Sequence, residues 1–586
     1  MSEGGTADPA GPRFARLWYL LAPLCVLVAF WPALRAGWVN WDDDIAVQNN
    51  PWLRELSADS LRWMFTESRV GHWTPLAWLS LAVNHALHGF DPFGYHLGNV
   101  LLHAASAWLA AFVFEALLAR AVPDWQLARL RSAALVGALL FALHPLRVES
   151  VAWITERRDV LSGVLWLGTL WAWLAACAPG VSARARRVRL GLAFACFALS
   201  LLSKAWGLTF PALLLVLCLW PLRRLGPGER RAALLELAAF AVLACVGGGL
   251  AIWAQSRDHA TIALAEHTLF ERFLQACYGV AFYAGKTLLP LDLHALYPLP
   301  RELGLDQPRF LWPAVLVPLA TLALLACARR VPWACTAWCA FGITAAPILG
   351  FTQSGVQLAA DRYTYLACLP FALLAGAALA RWTGVRGTWI AGLALGALFG
   401  VATWRQCGHW RDSRALWERV LSIDGENYVA LYKRGKARYD LGDVEGAVLD
   451  YRRAIVVDPH AAPAWFHLGD AERMRGQSAE ALAAYEKALE LRPDEPVYLG
   501  RRGTYLAELG EPARGLADLD RALERMPNDL GVRVSRASAR LLLGDARGAV
   551  EDIELALARA PASWEPREGV ERMLQVARQR AGPGAP

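Results

Sequence analysis

Apolar positions are distributed in two regimes along this chain. From about Leu17 to Val401 they run in stretches of about twenty residues, and after Trp410 they alternate at short range with charged ones. A stretch of about twenty apolar residues matches the thickness of a bilayer core as a helix. The pattern predicts crossings near 17–36, 95–119, 132–147, 160–178, 190–203, 206–221 and 232–254, then near 310–328, 332–350, 364–380 and 388–404. The stretch 270–289 is ambiguous, because Glu271, Arg272 and Lys286 interrupt it; it reads as lying on the membrane or entering it only in part. The expected body is an all-α, polytopic membrane domain over 17–404 with about 11 crossings, behind an N-terminal tail at 1–16. Leu17 to Ala36 is long enough to span, so it reads as a first crossing and not as a cleaved signal.

The second regime is periodic. Pro459, Pro493, Pro527 and Pro561 are each 34 apart, as are Gly442, Gly476, Gly510 and Gly544. Ala454, Ala488, Ala522 and Ala556 keep the phase, and one repeat carries Trp465, Leu468 and Gly469. This period and signature match the tetratricopeptide repeat, a helix–turn–helix unit that stacks into an α-solenoid. Small residues let paired helices approach, and proline ends the second helix. A half-repeat is expected at 411–425, four repeats at 426–562, and a helix and tail at 563–586. Nothing in the array looks catalytic; its concave face suits a protein or peptide.

Composition sharpens this picture. The 586 residues are 56% hydrophobic and 19% charged, with 27 Trp, well below the charge of a soluble protein. The net charge of +7 is no nucleic-acid signal, because the arginines cluster between apolar stretches, as at Arg184, Arg186, Arg187 and Arg189. Such clusters mark cytoplasmic loops. With the N-terminus inside and 270–289 not crossing, the clusters all fall inside, and the first loop and the repeats both fall outside. Most cysteines lie in apolar stretches and imply neither zinc nor a disulfide framework. Gly285-Lys286-Thr287 resembles the end of a phosphate loop, but its spacing and helical context are wrong.

Candidate chemistry concentrates in the first loop, 37–94, which opens on Trp38-Val39-Asn40-Trp41-Asp42-Asp43-Asp44. Three aspartates in a loop are usually a solvated turn. Here they lie just beyond a membrane edge, flanked by tryptophans that favour the interface, in a long loop with amphipathic pieces near Ala58–Thr66 and Thr74–His88. A polyprenyl-phosphate sugar presents its phosphate and sugar at that depth. A carboxylate there can take the proton of an attacking hydroxyl, while the departing phosphate needs cations. Arg157, Arg158, Lys204 and Arg362 are the candidates for that phosphate, with structural ion pairing as the plainer reading of each. A divalent cation on the aspartates, Mg²⁺ or Mn²⁺, is the competing reading, and no cofactor is firmly implied. His72, His85, His88, His96 and His103 cluster in and after the loop without ligand spacing; an acceptor- or phosphate-binding role is open to them, with a hydrogen-bonded structural histidine as the plainer reading of each.

Several of these stretches carry a family likeness. Trp41-Asp42-Asp43-Asp44-Ile45-Ala46-Val47, His72-Trp73-Thr74-Pro75-Leu76 and Pro92-Phe93-Gly94-Tyr95-His96-Leu97-Gly98-Asn99 resemble the first loop of the transmembrane and tetratricopeptide-repeat O-mannosyltransferases and their bacterial relatives. Glu149-Ser150-Val151-Ala152-Trp153, Arg158-Asp159-Val160-Leu161 and Ala360-Asp361-Arg362-Tyr363 extend the resemblance through the membrane half. It implies a GT-C fold and inverting transfer from a polyprenyl- or dolichyl-phosphate sugar to a protein hydroxyl. It also implies an acidic pair at Asp42 and Asp43 as catalytic centre, supported by Asp44, without a metal. The bacterial likeness implies a multi-pass plasma (inner) membrane protein, and the charge bias puts its repeats outside the cytoplasm. Two rival readings stand beside it: a membrane-anchored repeat scaffold without catalysis, and a lipid-linked glycan polymerase or transporter. A scaffold needs one anchor helix, and a transporter favours charge at mid-membrane, whereas the notable charges here lie at span ends.

Overall fold

The computed structural model describes residues 14–69, 71–257, 268–300, 302–350, 357–560 and 564–582. The N-terminal tail as far as residue 13, Pro561 and the end of the C-terminal tail lie outside these. The described residues are all-α apart from a two-stranded pairing between Tyr297–Pro298 and Gln357–Ala359 and an isolated bridge between Arg69 and His72. It divides into two compact units, Met1–Leu416 and Trp417–Pro586, and the boundary falls inside the helix Ser413–Ile423.

In the first unit, five described helices are long and apolar enough to cross a membrane, or six if a bent pair counts as one span. The five are Pro92–Ala121, Ile154–Ala176, Arg230–Ala254, Pro308–Ala326 and Leu369–Gly408. The bent pair is Leu127–Ala142 with Pro145–Ala152, turning by 53° at the proline. Leu369–Gly408 is itself broken at Gly384, where φ is +68°, so the stretches expected at 364–380 and 388–404 meet at a glycine. Other apolar helices, among them Ala183–Ser203 and Pro332–Ala345, are too charged or too short for the same criterion. Leu269–Leu288, the ambiguous stretch, forms an amphipathic helix closed by a capping box from Thr268 and Glu271.

The centre of this unit is Leu127–Ala142, whose residues 132–142 are all buried. It packs at backbone contact on the last long helix. A Cβ built on Gly376 would lie 2.3 Å from the Ala133 carbonyl oxygen and 3.0 Å from Gly137 Cα. Small residues on both faces are what permit that approach, as in membrane helices generally. The first loop has its own core: Ala46, Val47, Leu53, Met64, Trp78 and Leu81 pack with Tyr95 and Ile154. Its helices are Ala58–Thr66, capped by Ser57, and Pro75–His88.

The second unit stacks four helix pairs: Tyr428–Asp440 with Val444–Val457, Ala462–Met474 with Ser478–Leu491, Pro496–Glu508 with Pro512–Arg525, and Leu530–Leu542 with Ala546–Arg559. The 34-residue glycines serve the turns and not the packing, since Gly442, Gly476, Gly510 and Gly544 all take φ between +73° and +84°. Close approach falls to other glycines. A Cβ at Gly435 or Gly469 would meet the ring of Tyr451 or Tyr485 at 2.7 and 2.6 Å.

Candidate functional site

The three aspartates of the first loop occupy different environments. Asp43 is fully buried and tied on both oxygens: Oδ2 accepts from the Val39 amide at 3.1 Å, and Oδ1 from the Thr155 amide at 3.0 Å and the Thr155 hydroxyl at 2.6 Å. Burial outweighs those donors and pushes its pKa up to about 7. Asp42, beside it, is half-buried and takes φ of +83°, a conformation that aspartate tolerates better than most residues. That turn directs its carboxylate to within electrostatic reach of the Arg158 guanidinium. Asp44 Oδ1 accepts from the next amide, Ile45, at 3.0 Å and shapes the turn. Asp43 is therefore a latch between the first loop and the segment carrying Thr155 and Arg158, while Asp42 is the carboxylate that faces the charged residues.

Those charged residues converge from three distant parts of the chain. Glu156 is fully buried and accepts from Arg158 at 2.8 and 3.2 Å and from Lys204 at 3.0 Å, with Arg362 Nε at 3.5 Å. Lys204 also meets Asp159 at 2.5 Å, and Asp159 is held by Trp206 Nε1 at 2.7 Å and Ser150 at 3.0 Å. Arg362 pairs with Glu149 through its guanidinium, and through its amide at 2.8 Å. Three cations thus meet three carboxylates, so the cluster is close to neutral. The short helical pieces Pro145–Arg147, Val148–Ala152 and Ile154–Glu156 make this possible, since each break re-aims the next side chain. Arg362 lies 5.3 Å over the Trp153 ring, and Trp153 is stacked between Trp41 and Trp410 at about 6 Å. That ladder fixes the residue next to Asp42.

Of the four cations singled out from sequence, the structure therefore gathers Arg158, Lys204 and Arg362. Arg157 points elsewhere: it donates to Asn99 Oδ1 at 2.5 Å and the Tyr95 carbonyl at 2.7 Å. Adjacent helical residues diverge by about 100°, so neighbours in sequence cannot share a face. Gly98 leaves room for this guanidinium, since a Cβ there would lie 2.5 Å from Nη2. Sequence reasoning missed the roles of Thr155, Glu156 and Trp206, and treated Glu149 and Asp159 only as parts of motifs. Carboxylates spaced among arginines at the start of an apolar run were the available signal. The histidines mostly scatter into structural roles, His103 bridging Tyr365 at 2.9 Å and the Ala142 carbonyl at 3.0 Å, and His96 meeting Gly37. His72 lies within electrostatic reach of Arg158, Lys204 and Arg362. Among the described residues, no three His, Cys, Asp or Glu side chains group as ligands for a metal ion.

An apolar cavity of about 470 Å³ lies within the same unit, walled by Leu118, Trp166, Leu213, Ala340 and Leu366 among others. Leu366 follows Arg362 by four residues, and the opposite end is marked by Trp125, Trp220, Arg381 and Trp382. Leu369 to Trp382 corresponds to about 20 Å of helix, about two thirds of a bilayer core.

The tetratricopeptide repeat family model matches residues 406–455 and 432–496. Protein O-mannosyl-transferase Tmtc3 of Drosophila melanogaster is 31% identical over 247 residues, covering 38% of this chain and 26% of that protein. Protein O-mannosyl-transferase TMTC2 of Mus musculus is 34% identical over 178 residues, covering 29% of this chain and 20% of that protein. The matched stretches thus span about a quarter or less of these relatives' length. Among solved structures, a thermophilic TPR protein of Thermus thermophilus is 23% identical over 30% of this chain and 94% of its own, with a TM-score of 0.26 that carries no further argument.

Proposed function

We propose that this relative of the TMTC-type protein O-mannosyl-transferases is a membrane glycosyltransferase that moves a sugar, mannose on the relatives' names, from a polyprenyl phosphate to a hydroxyl of a protein. The observation that carries the reading is the convergence of Arg158, Lys204 and Arg362 on Glu156, with Asp42 turned toward Arg158. In the step, the acceptor oxygen attacks the anomeric carbon and its proton passes to Asp42. The bond from that carbon to the phosphate oxygen breaks with its electrons leaving on the phosphate, and configuration inverts. A hydroxyl is a weak nucleophile without a base, and a phosphate leaves readily once its charge is neutralised. Asp43 supports the step indirectly, by holding Asp42 and the Arg158 segment in register through Thr155. The apolar cavity offers the polyprenyl chain a path beside the charged cluster.

On this reading the first loop and the repeats face the extracytoplasmic side of a bacterial plasma membrane, as the arginine clusters suggest. The repeats would recruit the acceptor protein or a partner. The test is transfer of radiolabelled sugar from polyprenyl phosphate to protein in membranes carrying the wild type or Asp42→Asn. Loss of a general base predicts a fall of about 10²–10⁴ in rate with donor binding retained. Equal labelling by the two proteins overturns the assignment.

A further inference from the structure

His72 belongs to none of the roles described so far, yet the fold goes to some length to hold it. It pairs with Arg69 across a tight turn, by backbone hydrogen bonds of 3.0 and 3.1 Å, with Gly71 at φ +71°. Arg69 in turn donates to the Ile45 carbonyl at 2.9 Å and the Asn49 carbonyl at 3.3 Å, which bolts the turn to the helical turn after the aspartates. On the other side, the Trp73 indole donates to the Phe65 carbonyl at 3.0 Å, and buried Thr74 begins the helix Pro75–His88. His72 is thus clamped from both flanks. The Arg69 bonds seat this turn against Ile45, next to the Asp43 carboxylate that holds Thr155, so the half-buried ring lies within electrostatic reach of Arg158, Lys204, Arg362 and Glu156. No hydrogen bond to the ring occurs among the described residues.

We propose that His72 is a donor-phosphate ligand, giving a ring N–H to a phosphate oxygen that Arg158, Lys204 and Arg362 draw in. This rests on the glycosyltransferase reading and adds the residue that completes its phosphate site. Burial and the neighbouring cations hold the imidazole well below the ordinary histidine pKa, so it is uncharged at neutral pH. An uncharged donor suits this place. The three cations are already matched by Glu149, Glu156 and Asp159, and an N–H adds, without further charge, a directed hydrogen bond to an oxygen whose charge grows as the bond to the sugar breaks. Such a ligand needs a fixed position more than a charge, and the clamp from Arg69 and Trp73 supplies it.

Two measurements on the full chain in detergent test this. The first compares binding of polyprenyl phosphate and of polyprenyl-phosphate mannose by the wild type, His72→Phe and His72→Gln. We expect His72→Phe to bind about tenfold or more weakly, and His72→Gln, which keeps an N–H donor, to stay within about threefold of wild type. Equal binding by all three overturns the assignment to His72 and leaves the enzyme reading standing. Absence of binding by the wild type overturns the enzyme reading itself, and this inference with it. The second measurement needs no variant: carbethoxylation of His72 by diethyl pyrocarbonate, mapped by mass spectrometry. Polyprenyl phosphate should protect His72 and the free polyprenol should not. Equal modification with and without the phosphate, or equal protection by the alcohol, overturns the proposal.

Discussion

Thr155→Val is the most discriminating change near the candidate site, because it removes one hydrogen bond and little volume. Thr155 Oγ1 donates to Asp43 Oδ1 at 2.6 Å, where the carboxyl is fully buried. A hydrogen bond to an ionised group contributes about 1.5–3 kcal/mol, and one between neutral partners about 0.5–1.5 kcal/mol. The folded-state pKa of Asp43 is raised from 3.8 to about 7. A carboxyl with a raised pKa contributes stability that is complete below about pH 4 and is lost as pH rises through the folded value. Losing the Thr155 donor, which favours the charged form, raises that value further. The deficit of Thr155→Val should therefore be about 0.5–1.5 kcal/mol at about pH 5.5 and widen to about 1.5–3 kcal/mol at about pH 8. Denaturant unfolding in detergent at the two pH values measures this directly. A deficit that is equal at both, or larger at the acid end, refutes the account of Asp43 as a buried latch whose ionised form is held by Thr155.

Two further perturbations probe the charge arrangement in each unit. Glu156→Gln removes the carboxylate shared by Arg158, Lys204 and Arg362 and should destabilise the membrane unit by about 3–5 kcal/mol, seen as a large fall in the detergent melting temperature. An unchanged melt would mean that the cations do not depend on that partner. In the repeats, buried Asp552 receives Arg533 at 3.2 Å, Arg536 at 2.5 Å and Arg540 at 3.0 Å. Asp552→Ala removes the carboxylate that three guanidiniums share and should lower stability by an amount near the lower end of about 3–5 kcal/mol, since Arg536 keeps Asp520 at 2.8 Å and Arg536 and Arg540 are partly exposed. Circular dichroism melts of the full chain would detect it, and a neutral result would show these contacts to be surface pairs of little weight.

The division of labour among neighbouring residues shows where sequence reasoning stops. Asp42 and Asp43 are adjacent carboxylates in one motif, and nothing in composition or spacing separates a latch from a residue facing cations. The separation comes from the positive φ at Asp42 and from Thr155, 112 positions away. Arg157 and Arg158 are likewise indistinguishable as letters. Their divergence follows from helical geometry once the helix start at Arg157 is known. His72 is one of several alike histidines in the sequence, and the turn at Gly71 with the Arg69 and Trp73 contacts brings it within electrostatic reach of Arg158.

What the sequence determined by itself is everything that depends on periodicity and solvent. Apolar stretches of bilayer length, arginines gathered between them and a strict 34-residue repeat each express a local physical requirement. Lipid demands continuous apolar helices, and stacked helix pairs demand small residues and a left-handed glycine at fixed offsets. Such requirements are written in neighbouring residues, so they are legible without a fold. The charged cluster is not of that kind. Residues 156, 158, 204 and 362 meet only because Arg157–Ala176 packs on Ala183–Ser203 while the Asp361–Tyr363 turn packs on Val148–Ala152, and their pairing depends on which faces those elements present. Buried charges must find partners wherever the tertiary structure brings them, and that choice belongs to the packing of the whole unit.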